Sequence, residues 1–314
     1  MKLLGPISHR VWLAPMLAAL FATTAQAQLS YIVFDNQTGH IIDSSQRNSK
    51  LQVASLTKIA TAMVVLDWAH LRQVDLSTMI PITQAAFANG AASTSGLLPG
   101  DSASLRDLLY CALLASDNAA ANALADHVGR QVPNPKGLDP IGNFVTQMNA
   151  LARSLFMKRT LFLNPTGMDN MPRGKALPHS TAEDMARLTR HAYEDAAFKF
   201  YVAQQSRTIH ILRNAADYPV QIQNTNELLG RDQIDGVKTG RTRQAGDCLI
   251  LSADRPPESR REGEQVLVTP RRISVVVLGS TDRFRDGLAL LRNGWNLYDA
   301  WAAEGRPVKK GTNL

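Results

Sequence analysis

Cysteine is almost absent from this sequence: Cys111 and Cys248 are the only two in 314 residues. That excludes a disulfide-built scaffold, and since each lies inside an apolar stretch, both read as buried free thiols. Aromatic residues are also few, at 6%. None interleaves with the arginines that crowd the C-terminal third (Arg241, Arg243, Arg255, Arg260, Arg261, Arg271 and Arg272), which alternate with acids. No nucleic-acid partner is expected from such a pattern. The seven histidines are scattered, with no His-x-x-x-His spacing and no paired cysteines, so no metal site is expected. There is no Gly-x-Gly-x-x-Gly after a strand, no phosphate loop and no Gly-x-Ser-x-Gly elbow, which argues against nucleotide cofactors and against an α/β-hydrolase. No cofactor of any kind is expected.

Long apolar runs are missing too, apart from the first residues. Lys2, His9 and Arg10 form a basic start, residues 11–23 are mostly apolar, and Ala25-Gln26-Ala27 offers small residues where an export peptidase cuts. Residues 1–27 therefore read as a signal peptide cleaved before Gln28. A retained anchor is the alternative, but a run of about a dozen residues falls short of the roughly 20 that span a bilayer. Export to the periplasm or cell-wall compartment follows, with no stable membrane anchor after cleavage. The net charge of +7 includes Lys2 and Arg10. The remaining basic surface suits solubility and attraction to an anionic wall equally well.

What is present is ample apolar content, 45% of residues, in a readable order. Residues 31–34 and 40–42 alternate around Asn36-Gln37-Thr38-Gly39, which predicts a hairpin. Residues 56–69 are apolar on nearly every face and predict a helix at the centre of a domain. From about 80 to 200 the pattern is helical. Ser104 with Asp107 caps a helix over 105–115, a second runs over 119–128 with Gly129 as its stop, and Ser180 with Glu183 caps a third over 182–193. Strands return at 236–241, 247–252 and 272–279, rich in β-branched residues. The polar stretch 254–265 between them predicts a surface loop. Phe284, Leu288, Leu291, Trp295, Tyr298 and Trp301 mark a final amphipathic helix, and residues 303–314 form a basic tail expected to be mobile. Strands, then helices, then strands and a helix predict an α+β fold, with a sheet built from both chain ends.

Three short motifs carry chemistry. Ser55-Leu56-Thr57-Lys58 opens the buried helix, and i,i+3 spacing puts hydroxyl and amine on one face. A helix start favours a developing anion, and a buried lysine beside another cation loses its proton more easily. Lys58 can then take the proton of Ser55 and make it a nucleophile. Ser116-Asp117-Asn118 lies in a break between helices. Facing Ser55, the Ser116 hydroxyl can relay a proton to a leaving amine, the Asn118 amide can hold a substrate carbonyl and Lys58, and Asp117 is structural. Lys238-Thr239-Gly240 lies on a strand: Lys238 adds positive charge, Thr239 binds a substrate carboxylate, and Gly240 lets a substrate backbone lie close. The backbone N–H groups of Arg241 and Ser55 would form an oxyanion hole. Each motif alone is weak; a chance Ser-x-x-Lys, a loop cap or an edge-strand turn explains each singly.

In this order the three motifs are the set known for β-lactamases and penicillin-binding proteins. The sequence resembles the low-molecular-mass penicillin-binding proteins, the D-alanyl-D-alanine carboxypeptidase family of serine peptidases (S11), from about Tyr31 to Trp301. The shared segments include Asn164-Pro165-Thr166-Gly167-Met168-Asp169, Asp235-Gly236-Val237-Lys238-Thr239-Gly240 and Ala245-Gly246-Asp247-Cys248-Leu249. The resemblance implies a β-lactamase/transpeptidase-like fold of α/β (α+β) class. It has a five-stranded antiparallel sheet flanked by helices, a peptidase domain over 28–302 and an inserted helical subdomain at about 80–200. It also implies an acyl-enzyme on Ser55 and no metal, with peptidoglycan stem peptides as substrates and β-lactams as covalent inhibitors. A role in cell-wall remodelling and cell shape goes with that activity.

Departures from the pattern discriminate among relatives. A class A β-lactamase needs a glutamate in Glu-x-x-Leu-Asn; here Thr160 stands in its place, and Asp169 and Glu183 are wrongly spaced, so slow release of penicillin is expected. Many carboxypeptidase members carry an arginine within the Asn-x-Asn segment before the third motif, whereas this chain has Asn224-Thr225-Asn226. That leaves an endopeptidase cutting D-alanyl cross-links as the alternative to a D-alanyl-D-alanine carboxypeptidase, with Arg241 or Arg243 as possible substitutes. The chain ends soon after Trp301, without the β-rich C-terminal domain of many relatives, which predicts weak membrane attachment. A wall-binding protein without turnover is the non-enzyme alternative.

Overall fold

The protein is described here as a computed structural model, which covers residues 29–169, 174, 176–308 and 311–314; the expected leader lies outside them. The chain starts with the hairpin β1 (Ser30–Asp35) and β2 (Ile41–Ser45), then a 3-10 turn (Ala54–Thr57) and α1 (Lys58–Arg72). Two three-residue strands follow, β3 (Met79–Pro81) and β4 (Ser102–Ser104), with α2 (Leu105–Leu113), α3 (Asn118–Gly129) and α4 (Pro140–Ser154). Next come α5 (Ala182–Ala192), α6 (Ala196–Val202) and the hairpin β5 (Ser206–Arg213) and β6 (Ala216–Gln223). The chain closes with β7 (Ile234–Thr242), β8 (Gly246–Glu262), β9 (Gln265–Ser280) and α7 (Arg283–Ala303).

The main sheet runs β2-β1-β9-β8-β7, all antiparallel, so both chain ends build it as expected. Its central strand β9 is buried on both faces over 273–278. Ile273, Val275 and Val277 pack with Leu291, Trp295 and Tyr298 of α7, while Val276 and Leu278 join the larger core around α1. This two-sided burial explains the continuous apolar run, which a strand with one wet face would break by alternation. α1 is buried from Lys58 to Leu66; Ile59, Met63 and Leu66 each contribute about 2 kcal/mol of burial. A helix so enclosed cannot shift without repacking the domain; Lys58 is its first residue, and Ser55 lies in the 3-10 turn that leads into it.

Several expectations change. The helix at 119–128 does end at Gly129, its last helical residue, but with Arg130 as C-cap; the glycine is required because a Cβ there would lie 1.8 Å from the Pro140 carbonyl oxygen, where α4 begins. Thr181, not Ser180, caps α5, accepting a bond from the Asp184 N–H, while Ser180 pairs with Thr160. Residues 254–265 are not a loop: β8 and β9 continue through them as a ribbon. A second sheet, β3-β4-β5-β6, was not foreseen. Its strands are short or polar, with Ile80, Ala103, Ile209, Ile211 and Ile222 facing the core. The end of the tail makes backbone bonds to the β1–β2 hairpin. The Ile41 N–H donates to the Thr312 carbonyl at 2.7 Å, the Leu314 N–H to the Gly39 carbonyl at 3.0 Å, and Trp301 stacks on His40. Cys111 and Cys248 are buried and free. No described helix is long and apolar enough to cross a membrane.

Candidate active site

The three motifs meet where α1, the α2–α3 break and β7 converge. β7 is an edge strand of the main sheet, and its free side runs past the turn that carries Ser55. A Cβ on Gly240 would lie 3.1 Å from the Ser55 nitrogen, the Ala54 Cβ and the Val53 oxygen. The glycine therefore lets strand and turn approach each other, a need the sequence reading assigned only to substrate.

Ser55 is half-buried, and Lys58 is fully buried one turn on. The Lys58 ammonium donates to Ser55 Oγ at 2.9 Å, to Asn118 Oδ1 at 2.7 Å and to the Thr166 carbonyl at 2.9 Å. Two of these partners are carbonyl oxygens that can only accept; the third is a hydroxyl that can also donate. A neutral amine has two N–H donors and one lone pair. It is fully satisfied here when its hydrogens go to Asn118 and Thr166 and its lone pair accepts the Ser55 proton. Burial pulls the Lys58 amine down to about 7, with the Asp117 carboxylate pulling it back up. Near neutral pH a large fraction is therefore unprotonated and aimed at the serine oxygen.

Asp117 earns its structural reading from its bonds. Fully buried, it caps α3 by accepting the Ala120 N–H at 2.8 Å, and it accepts the Ser95 N–H at 2.8 Å and the Ser93 hydroxyl at 2.6 Å. It thus fixes the 93–95 loop to the start of α3 and sets the direction of Asn118. Ser116 adopts a left-handed conformation (φ 58°), uncommon for a residue with a Cβ and concentrated at functional sites. Its hydroxyl makes no bond to Ser55 or Lys58.

Lys238 is buried, and its ammonium donates to the Thr239 carbonyl at 3.1 Å. Burial holds it well below its ordinary value, aided by repulsion from Lys58 and Arg283, so the two lysines share one electrostatic region. The Arg241 side chain points to solvent, 77% exposed, 3.4 Å from Asp247; only its backbone belongs with the motif. Among the described residues no group of His, Cys, Asp or Glu side chains is placed to hold a metal ion.

Four residues escaped the sequence reading of roles. Thr166 supplies the second carbonyl to Lys58. Gly167 (φ +80°) sits where a Cβ would be 1.8 Å from the Ala54 oxygen and 2.8 Å from Thr57 Oγ1. Arg283 donates to the Gly240 carbonyl at 3.1 Å and stands 3.4 Å from Asp247, bracing β7 from behind. Thr225 pairs its hydroxyl with that of Thr239 at 2.6 Å and donates to the Leu114 carbonyl at 3.2 Å. Either hydroxyl can be the donor in the bond between Thr225 and Thr239. The only available signals for these roles were that Thr166 and Gly167 lie in a segment shared with a known family and that Thr225 lies in one that departs from it.

Comparison with known proteins points to one family. The family model described as D-alanyl-D-alanine carboxypeptidase (Peptidase_S11) matches residues 19–260. The chain is similar to a D-alanyl-D-alanine endopeptidase of Pseudomonas aeruginosa, 31% identical over 71% of this chain and 66% of that protein. It is also similar to D-alanyl-D-alanine carboxypeptidase DacC of Escherichia coli, 29% identical over 86% of this chain and 62% of that protein. These alignments thus span less than two thirds of either relative. Among solved structures, penicillin-binding protein D2 of Listeria monocytogenes in its ampicillin-bound form superposes with a TM-score of 0.67 and 25% identity, over 85% of this chain and 96% of that one.

Proposed function

Since the chain belongs to the D-alanyl-D-alanine carboxypeptidase family, we propose that it is an exported serine-type D-alanyl-D-alanine carboxypeptidase that cuts peptidoglycan stem peptides through an acyl-enzyme on Ser55. The observation that carries this reading is the Lys58 amine held 2.9 Å from Ser55 Oγ between two fixed carbonyl acceptors. Neutral Lys58 takes the hydroxyl proton as the Ser55 oxygen attacks the D-alanyl carbonyl. The oxyanion that forms is met by the backbone N–H groups of Ser55 and Arg241, a reading supported by the close approach of Gly240 to the Ser55 nitrogen. The proton passes to the leaving amine by way of Ser116, and that amine departs as D-alanine. Lys238 and Thr239 receive the substrate carboxylate, and water then releases the acyl group.

β-Lactams acylate the same serine and leave slowly. Slow release is supported by where the nearby acids are engaged. Glu183 pairs with Arg47 and Arg187, and Asp169 accepts the Gln244 N–H. Thr160, in the place of a deacylating glutamate, is bonded to Asp184 and Ser180.

A second reading, DD-endopeptidase, is favoured by one observation. The Thr239 hydroxyl is engaged with that of Thr225 at 2.6 Å rather than standing free for a carboxylate. Thr225 also occupies the segment where many carboxypeptidases carry an arginine. Capture of a free terminal carboxylate then has Lys238 alone as its cation and must compete with that bond, which weakens the preference for a free terminus. Purified enzyme offered a pentapeptide and a cross-linked dimer decides between them. Faster release of D-alanine from the pentapeptide supports the first reading, and faster cleavage of the dimer replaces it with the second. No cleavage of either, with no covalent penicillin adduct, overturns both.

A further inference from the structure

We propose that the outer edge of β9 over residues 265–269 is a self-association surface, pairing antiparallel with the same edge of a second copy of this chain. The ribbon that carries it leaves the main sheet once its neighbours end: β7 stops pairing with β8 at Ala253, and β1 stops pairing with β9 at Ile273. From Asp254↔Arg272 to Glu262↔Gln265 the two strands run on alone, a reach of about 30 Å.

The root of this ribbon is fixed. Arg255 lies on the Trp295 ring at 4.1 Å and pairs with Asp299 at 3.0 Å; Arg271 holds the other Asp299 oxygen at 2.9 Å; Arg306 holds Glu258 at 2.6 Å. Beyond that clamp the two edges differ in kind. The β8 edge carries Pro256, Pro257, Glu258, Arg260, Arg261 and Glu262, the devices that keep an exposed strand from pairing. The β9 edge carries Gln265-Val266-Leu267-Val268-Thr269, with neither charge nor proline, and its three apolar residues are 57%, 46% and 59% exposed. No described residue bonds to that edge.

The occupant is read from the edge itself. Its side chains are palindromic about Leu267: polar, valine, leucine, valine, polar. A two-fold axis at Leu267 sets Val266 against Val268 of the second copy and Gln265 against its Thr269. All four valines then lie on one face, because antiparallel register keeps alternate residues together. An edge without charge does not repel its own copy. One strand from each side falls below the roughly 1,200 Å² of stable complexes, so the dimer is a concentration-dependent one. Leu267 pairs with Arg260, twelve residues along β8 from Cys248 beside Gly240, so the surface lies about 40 Å from the serine.

Cysteine cross-linking of the full chain tests this directly. At the axis, two copies of Leu267→Cys have Cα atoms roughly 5 Å apart, within disulfide range; two copies of Thr269→Cys are about 14 Å apart and cannot bridge. Under mild oxidation Leu267→Cys is expected to give a dimer on a non-reducing gel and Thr269→Cys to stay monomeric. Sedimentation of the unmodified chain is expected to show a mass rising with concentration, abolished in Val266→Lys/Val268→Lys while penicillin labelling is unchanged. Equal cross-linking of both cysteine variants overturns the proposal. So does an unmodified chain that stays monomeric at millimolar concentration, or a lysine variant that dimerises as before.

Discussion

Gly167→Ala is the substitution that most severely tests how the site is assembled. The glycine has φ +80°, and an added Cβ would lie 1.8 Å from the Ala54 carbonyl oxygen and 2.8 Å from Thr57 Oγ1. Real contacts of this kind are not found below 3.0 Å, so the 166–168 loop and the Ala54–Ser55 turn must separate by more than 1 Å. Both sides of the gap hold the proposed catalytic geometry: Ser55 follows Ala54, and the carbonyl of Thr166 holds the Lys58 amine. The left-handed backbone costs an alanine about 1–2 kcal/mol, and relieving the overlap adds about 1–3 kcal/mol. A shift of about 1 Å between nucleophile and base lowers the chemical rate by roughly 100-fold. The assay is the second-order rate of covalent penicillin labelling, measured beside the denaturation midpoint so that loss of fold is separated from loss of geometry. A folded variant labelled within threefold of the parent rate would refute the claim that this glycine spaces the nucleophile from its base.

Other consequences follow from named groups. With Lys58 pulled down to about 7, acylation should rise about tenfold per pH unit below 7 and level off above it; a limb near 10, as for an ordinary lysine, would contradict a neutral base. The same shift makes the unfolded chain bind more protons than the folded one between about pH 7 and 10.5. Stability from this group therefore rises with pH across that window, and denaturant midpoints of Lys58→Met should lose that slope. Asp117→Ala removes three bonds to a buried carboxylate and should cost about 3 kcal/mol or more; the carboxylate also raises the Lys58 pKa, so the acylation limb should move to lower pH. Thr225→Arg supplies a cation next to Thr239 and should raise D-alanine release relative to cross-link cleavage about tenfold, read by chromatography of both products. Gly129→Ala should destabilise despite the roughly 1 kcal/mol that alanine gains in a helix, because its Cβ meets the Pro140 carbonyl; a raised denaturation midpoint would contradict that contact.

The parts of this fold that could be read in the sequence are those set by local patterning. The apolar-all-round run at 56–69 had to be a central helix, the β-branched run at 272–279 a buried strand, and Ser104 with Asp107 a cap. What stayed hidden depends on distant partners. Nothing local marks 254–265 as strand, since its prolines and charges are those of a loop; two antiparallel strands already in register carry it on. The small sheet joins two three-residue strands to the polar hairpin of β5 and β6, segments far apart in the chain whose pairing has no local signal. Gly129 ends its helix, as glycine often does, but a backbone 11 residues away is what requires it. In the site, motif spacing gave Ser55 and Lys58 their shared face. The carbonyl of Thr166, the bracing by Arg283 and the Thr225–Thr239 bond are backbone or cross-chain contacts with no local signature.

Intact-protein mass spectrometry after exposure to benzylpenicillin tests the central claim most directly: an uncharged amine at 58 activates the hydroxyl at 55. A single long-lived penicilloyl adduct is predicted, mapping to the peptide that contains Ser55, absent from Ser55→Ala and strongly reduced in folded Lys58→Arg, whose guanidinium cannot give up its proton. An adduct on Ser55→Ala, or one that turns over within seconds, would contradict the account.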